Sequence, residues 1–271
     1  MILGMGDKDP LIELRGLSAG YGRKVLVAGA VAQVRAGEMV TLLGANGAGK
    51  STLLKTVCGE IAPLCGEAFV GGRNTRKVSR QELAKLLAVV NTDRVEADGL
   101  TVRELVGMGR YPYTGFFGRL DREDYRIVDE ALEAVGMSAY ASRGVSSLSD
   151  GERQKTMVAR ALAQSTPVIV LDEPTAFLDV ASRVELNALL CSLAQKEGKA
   201  VLMTSHDVAQ ALEQSSRVWL LTGDGKLTDA SPGELIAAHE SHREGSPLDL
   251  LFKDRAVEFD ARRLDYRAKL R

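Results

Sequence analysis

A short apolar strand that runs into a glycine-rich loop and then a helix constrains this chain more than any other feature. Glu38-Met39-Val40-Thr41-Leu42-Leu43 supplies the strand, and Gly44-Ala45-Asn46-Gly47-Ala48-Gly49-Lys50-Ser51-Thr52 supplies the loop. Ser51 to Cys58 carries helix formers with apolar positions at helical spacing. The loop fits G-x-x-x-x-G-K-[ST], where the glycines let backbone N–H groups turn inward around a phosphate chain. Lys50 is placed to reach the terminal phosphates and Ser51 to ligate Mg²⁺, while the helix points its positive end at the anion.

The remaining elements suit the α/β class. Leu11-Ile12-Glu13-Leu14 and the run Val25 to Val34 read as strands broken by a turn at Ala19-Gly20-Tyr21-Gly22. Arg80 to Leu87, Arg103 to Gly109 and Arg122 to Val135 read as amphipathic helices, so a helical insertion is expected over roughly 93–165. Pro167 to Leu171, Ala200 to Thr204 and Val218 to Leu221 are apolar runs of strand length. Such runs separated by helices imply a mainly parallel sheet with helices on its faces and an antiparallel β edge at the N-terminus. Residues 1–230 form the expected main domain, and after Ser231-Pro232-Gly233 the charged segment 231–271 reads as a C-terminal extension on the surface.

Composition narrows the setting. Among 271 residues the formal charge is −1, which offers no global attraction to nucleic acid or to an anionic membrane surface. Cys58, Cys65 and Cys191 form no CxxC pair, a sparse usage that suits a reducing compartment. The N-terminal residues lack a cationic leader and a long apolar core, so no secretion signal is expected. A membrane-spanning helix needs about 20 mostly apolar residues, and the run Val25 to Ala32 is far shorter. A soluble or peripheral protein is expected.

Two further motifs carry chemistry. Val168-Ile169-Val170-Leu171 ends in Asp172-Glu173, an acid pair at the end of a buried strand. Beside a phosphate-binding loop, Asp172 would support the magnesium and Glu173 would orient or deprotonate an attacking water. Leu148-Ser149-Asp150-Gly151-Glu152-Arg153-Gln154 opens a helix-like run through Ala163. Ser149 with Glu152 reads as a capping box, and a capped helix start with the Gly151 backbone exposed is a second anion site.

Together these motifs resemble the ATP-binding cassette (ABC) family of ATPases over nearly the whole chain, which implies a P-loop NTPase core using ATP and Mg²⁺. In that resemblance Leu148 to Gln154 is the signature motif, with Asp150 where a second glycine is usual. It implies that Ser149, Asp150, Gly151 and Glu152 meet ATP held by the loop of an opposite, head-to-tail copy. Ala176-Phe177-Leu178-Asp179 resembles the D-loop, His206 stands at the switch histidine that contacts the γ-phosphate, and Tyr21 stands at the adenine-stacking aromatic. The family's usual glutamine before the insertion is missing from Leu87-Ala88-Val89-Val90-Asn91-Thr92-Asp93-Arg94. Thr92 falls nearest that metal-touching position, and a one-residue slip places Asn91 or Asp93 there.

Gly99 to Val106 followed by Gly109-Arg110-Tyr111-Pro112-Tyr113-Thr114-Gly115-Phe116-Phe117-Gly118-Arg119-Leu120 is similar to the import cassettes for iron–siderophore, haem and cobalamin uptake. That similarity implies integral membrane permease subunits as partners, a substrate-binding protein acting indirectly, and a peripheral location on the cytoplasmic face of the inner or plasma membrane. A soluble cassette ATPase of the iron–sulfur assembly type and an exporter motor are the alternatives. The cargo is not expected to be legible, because such cassettes do not touch it.

Overall fold

Residues 9–91, 99–115, 118–241, 245–252, 257–261 and 263–268 are described by the computed structural model. Two long strands, β1 (Pro10–Tyr21) and β2 (Lys24–Arg35), precede the apolar run, which forms β3 (Met39–Gly44) and delivers the glycine loop to α1 (Lys50–Val57). β1 runs through Ala19 and Gly20, which pair with Val27 and Val25, so the turn expected at 19–22 tightens to Gly22-Arg23. A two-residue hairpin loop of this kind favours glycine, and Gly22 has φ 57°.

β4 (Cys65–Val70) and β5 (Arg73–Asn74) complete an antiparallel sheet in the order β2-β1-β4-β5. Leu53 and Val57 of α1 are packed in one core with Leu14 and Val27 of this sheet and Leu42 of β3. The helix expected over 80–87 stops early as α2 (Arg80–Leu83), and β6 (Leu87–Val90) begins soon after. The apolar run Leu87 to Val90 pairs in parallel with a neighbouring strand, and the Gln164 side chain donates to the carbonyls of Ala84 and Leu87 (2.6 and 2.9 Å). Tertiary pairing overrides local helix preference here.

The insertion holds α3 (Val102–Gly107), a 3₁₀ turn (Met108–Tyr113), α4 (Arg122–Ala134) and α5 (Asp150–Ala163). Leu105, Val128, Leu132 and Val158 share a core with Ile169 of β7 (Val168–Leu171), so the insertion is packed onto the sheet. α6 (Val180–Glu197), β8 (Ala200–Thr204), α7 (Val208–Gln214), β9 (Arg217–Leu221) and β10 (Leu227–Ala230) follow. The main sheet has the order β10-β9-β3-β8-β7-β6, parallel except for β10. β7 and β8 are buried at every position, as parallel strands covered on both faces must be.

The last segment folds as α8 (Pro232–Ser241), α9 (Pro247–Leu251) and a hairpin of β11 (Val257–Asp260) with β12 (Asp265–Ala268). Leu235, Leu248, Leu251 and Phe259 form a core with Leu43, Val208, Leu212 and Leu220. The charged surface of the extension therefore covers an apolar underside, which its sequence alone did not reveal.

Candidate nucleotide site

The glycine loop, the Asp172-Glu173 pair and His206 all follow the carboxyl ends of adjacent parallel strands, where α/β sheets bind ligands. Gly49 closes the loop at φ 109°, and a Cβ added there would lie 3.0 Å from Leu26 Cβ. Lys50 is 6% exposed, and its ammonium donates to the carbonyls of Gly44 (2.9 Å) and Ala45 (3.3 Å). A cavity of about 360 Å³ opens over Asn46, Gly47, Gly49, Lys50, Ser51 and Thr52, with Leu26 and Glu173 on its walls. Ala48 packs on the core below.

The start of α1 differs from that of other helices. α2, α3, α4, α5 and α9 each begin with a capping box and an acidic side chain in the first turn. α1 has no side-chain cap and no acid there. Its N-terminal N–H groups and positive dipole end are thus arranged for an external anion.

Glu173 adopts φ 46°, in the left-handed region. A non-glycine residue held there costs about 1–3 kcal/mol, and such strain clusters at functional sites. The conformation is fixed by its N–H, which donates to Thr204 Oγ1 (2.7 Å), and Thr204 Oγ1 donates in turn to Asp172 Oδ1 (2.7 Å). His206 Nε2 lies 2.6 Å from Glu173 Oε1. Thr204 and Leu26 are contributors that sequence reading missed. Thr204 looks like any β-branched residue at a strand end, and Leu26 like any apolar strand residue.

The oxygen donors fit Mg²⁺. The Ser51 hydroxyl is exposed on the cavity wall, and the Asp172 carboxylate ends β7, one strand removed from β3. No group of three or more His, Cys, Asp or Glu side chains suited to a metal occurs among the described residues. A hydroxyl and a carboxylate are the hard oxygen donors that Mg²⁺ takes, beside substrate phosphates.

Ser149, Asp150, Gly151 and Glu152 lie elsewhere, lining a separate cavity of about 450 Å³ with Phe177 and Asp179. Glu152 Oε2 accepts the Ser149 N–H (2.8 Å), and Ser149 Oγ accepts the Glu152 N–H (3.3 Å). The Ser149 N–H and the Ser149 hydroxyl, which also donates to Glu152 Oε2 (2.8 Å), hold the Glu152 carboxyl below the usual range, and the Ser182 N–H does the same for Asp179. The two cavities have no lining residue in common. Tyr21 is 55% exposed at the β1–β2 hairpin and does not line the phosphate-loop cavity. Thr92 and Asp93 lie outside the described residues, and Asn91 is the last residue described before them. Burial raises the thiols of Cys58 and Cys191, as suits apolar packing rather than reactivity. No described helix is long and apolar enough to cross a membrane.

Comparison with known proteins agrees with this geometry. The family model described as ABC transporter matches residues 27–176. An uncharacterized ABC transporter ATP-binding protein of Methanocaldococcus jannaschii is 41% identical over 211 residues, covering 78% of this chain and 73% of that protein. An iron(3+)-hydroxamate import ATP-binding protein of Bacillus subtilis is 42% identical over 195 residues, covering 72% of each. A cassette solved as a dimer in a post-hydrolysis state with ADP and Pi superposes with a TM-score of 0.72 at 25% identity, over 82% of this chain and 98% of that one. The chain belongs to the ABC transporter family, as one of its ATP-binding, ATP-hydrolysing subunits.

Proposed function

We propose that this subunit drives an importer of metal chelates of the iron–siderophore, haem or cobalamin kind, working as a head-to-tail dimer beneath two permease subunits. The placement is at the cytoplasmic face of the inner or plasma membrane, with a substrate-binding protein acting on the far side. The observation that carries the ATPase reading is Glu173, held at φ 46° against His206 at the mouth of the phosphate-loop cavity. Similarity to the hydroxamate import protein and the stretch 99–120 support the import assignment.

In this reading Gly44, Asn46, Gly47, Ala48, Gly49, Lys50 and Thr52 cradle the phosphates, and Tyr21 stacks on the adenine. Ser51 and Asp172 hold Mg²⁺, which when bound neutralises charge on the β- and γ-phosphate oxygens. Glu173 takes the proton of the attacking water, and His206 orients the Glu173 carboxylate and the γ-phosphate. Ser149, Asp150, Gly151 and Glu152 complete the site from the other copy, with Asp179 linking the two sites. Thr92 stands in for the missing glutamine. A loss of magnesium-dependent turnover in Asp93→Ala but not in Thr92→Ala would move that role to Asp93.

The test is the Glu173→Gln variant. It should bind MgATP with wild-type affinity, yet lose at least about 100-fold in turnover, within the range typical of general-base removal. Near-normal turnover removes Glu173 as the base. Co-expression with the permease should then give chelate uptake that the same substitution abolishes.

A further inference from the structure

The segment that carries His206 is hydrogen-bonded to the sheet before the histidine and to the extension after it. Ser205 N–H donates to the Leu42 carbonyl (3.3 Å), and Ser205 Oγ accepts the Asp207 N–H (3.0 Å). Asp207 then caps α7, its carboxylate accepting the Gln210 N–H (3.0 Å). On the other side the next donor, the Val208 N–H, reaches across 58 positions of sequence to the phenol oxygen of Tyr266 at 3.1 Å. Val208 is two residues beyond His206 and opens α7.

Tyr266 is itself held by a framework within the extension. Its ring lies 5.3 Å from that of Phe259 and 5.9 Å from that of Phe252, while Phe252 and Phe259 stack on each other. Phe259 is 2% exposed, and its carbonyl lies 3.1 Å from His239 Nε2. His239 Nδ1 faces Asp249 Oδ1 (3.0 Å) and Ser246 Oγ (3.2 Å), which ties α8 to α9. Partial burial, against the lowering effect of the Val208 N–H and with a further push from the Asp207 charge, holds the Tyr266 phenol above its usual range, so the contact is made by a neutral hydroxyl. Leu251 and Phe252 meanwhile line a cavity of about 280 Å³ together with Asn46 and His206. The extension thus contacts the segment after β8 and shares a cavity with the first residues of the phosphate loop.

We propose that Tyr266 is a positioning residue for ATP hydrolysis, with its hydroxyl fixing the start of α7 and so the placement of His206 against Glu173. This rests on the reading of His206 as the switch histidine. Removing the hydroxyl lets the 206–208 segment relax away from the productive geometry without touching the phosphate cradle. The predicted signature is therefore a fall in kcat at constant KM.

The experiment uses the full-length chain with MgATP and four variants. Tyr266→Phe keeps the ring packing and removes only the acceptor. Val208→Pro removes the donor instead, at a first helical position where proline is tolerated. Tyr266→Phe should lower kcat about three- to tenfold, the loss expected for one hydrogen bond, with KM for ATP unchanged. In the Val208→Pro background the same substitution should have a smaller effect than in wild type, because only the Ala209 N–H is then left to the phenol oxygen. The fourth variant, His206→Ala, reports on the underlying reading. If His206→Ala is inactive while Tyr266→Phe turns over at the wild-type rate, the inference is overturned and the switch reading stands. If Tyr266→Phe raises KM instead, or is fully additive with Val208→Pro, the positioning role is also overturned. Wild-type turnover by His206→Ala removes the switch reading and this inference with it.

Discussion

Glu173 shows how one side chain's role depends on neighbours that do not touch substrate. Its left-handed backbone is stable because Thr204 receives its N–H and passes a hydrogen bond on to Asp172. Thr204→Val keeps the shape of the side chain but leaves the Glu173 N–H without its partner. We expect it to destabilise the fold by about 1 kcal/mol, the usual net worth of one hydrogen bond at a part-buried position, and to lower turnover at unchanged ATP affinity. Urea unfolding and steady-state kinetics read the two effects separately, and unchanged kinetics would reduce Thr204 to a packing residue. Asp172 and Glu173 could be singled out from the sequence as candidates because two acids end an apolar strand in a chain that also carries a phosphate-binding loop. Thr204 could not, because a β-branched residue at a strand end is what any sheet selects. Its partners are 31 and 32 positions away, beyond the reach of any local pattern.

At the scale of elements, the join between the insertion and the sheet depends on the 3₁₀ turn at Met108–Tyr113. Gly109 packs so closely on α5 that an added Cβ would lie 2.3 Å from the Arg160 carbonyl oxygen. Next to it, buried Arg110 donates to Asp124 of α4 (2.8 Å) and to the Ala163 carbonyl at the end of α5 (2.9 Å). Gly109→Ala must push backbone against backbone, and should lower stability by about 1–3 kcal/mol, measured by urea titration. Burial alone would raise the pKa of Asp124, but the hydrogen bonds from Arg110 and the Asp121 N–H outweigh it and hold the carboxyl below the usual range. A depressed folded pKa means that the pair's stabilisation is present above about pH 4, the unfolded value. It is lost as the pH falls through the lower folded value. Asp124→Ala should therefore destabilise at pH 7 by about 3–5 kcal/mol, as breaking a buried pair does. Its difference from wild type should shrink in acid, and a difference independent of pH would count against the pair. The helices expected at 103–109 and 122–135 were legible from periodicity, and their structured counterparts are Val102–Gly107 and Arg122–Ala134. The helix expected at 80–87 was not correct beyond Leu83, because strand pairing with β7 claims Leu87 to Val90. The folded underside of the extension was hidden by its charged surface residues and spaced apolar ones, Leu235, Leu248, Leu251 and Phe259.

The molecule as a whole carries two cavities with no lining residue in common, which the proposed function reads as two halves of a shared site. The phosphate loop, Asp172 and Glu173 follow strands of the sheet, while Ser149 to Glu152 open the helix α5 and share a cavity with Asp179. A C₂ pair lets each half-site face its complement, which is how a self-complementary interface is used twice. Turnover of the isolated subunit should thus rise more steeply than linearly with concentration while the protein is dilute, and strict proportionality would point to a complete site in one chain. The most direct measurement is sedimentation equilibrium of the Glu173→Gln variant, alone and combined with Gly151→Asp. MgATP should convert Glu173→Gln from monomer to dimer. The added Gly151→Asp should abolish that dimer while each monomer still binds MgATP with unchanged affinity. A Glu173→Gln chain that stays monomeric when saturated with MgATP, or a Gly151→Asp change that weakens binding to the monomer, would contradict the shared site.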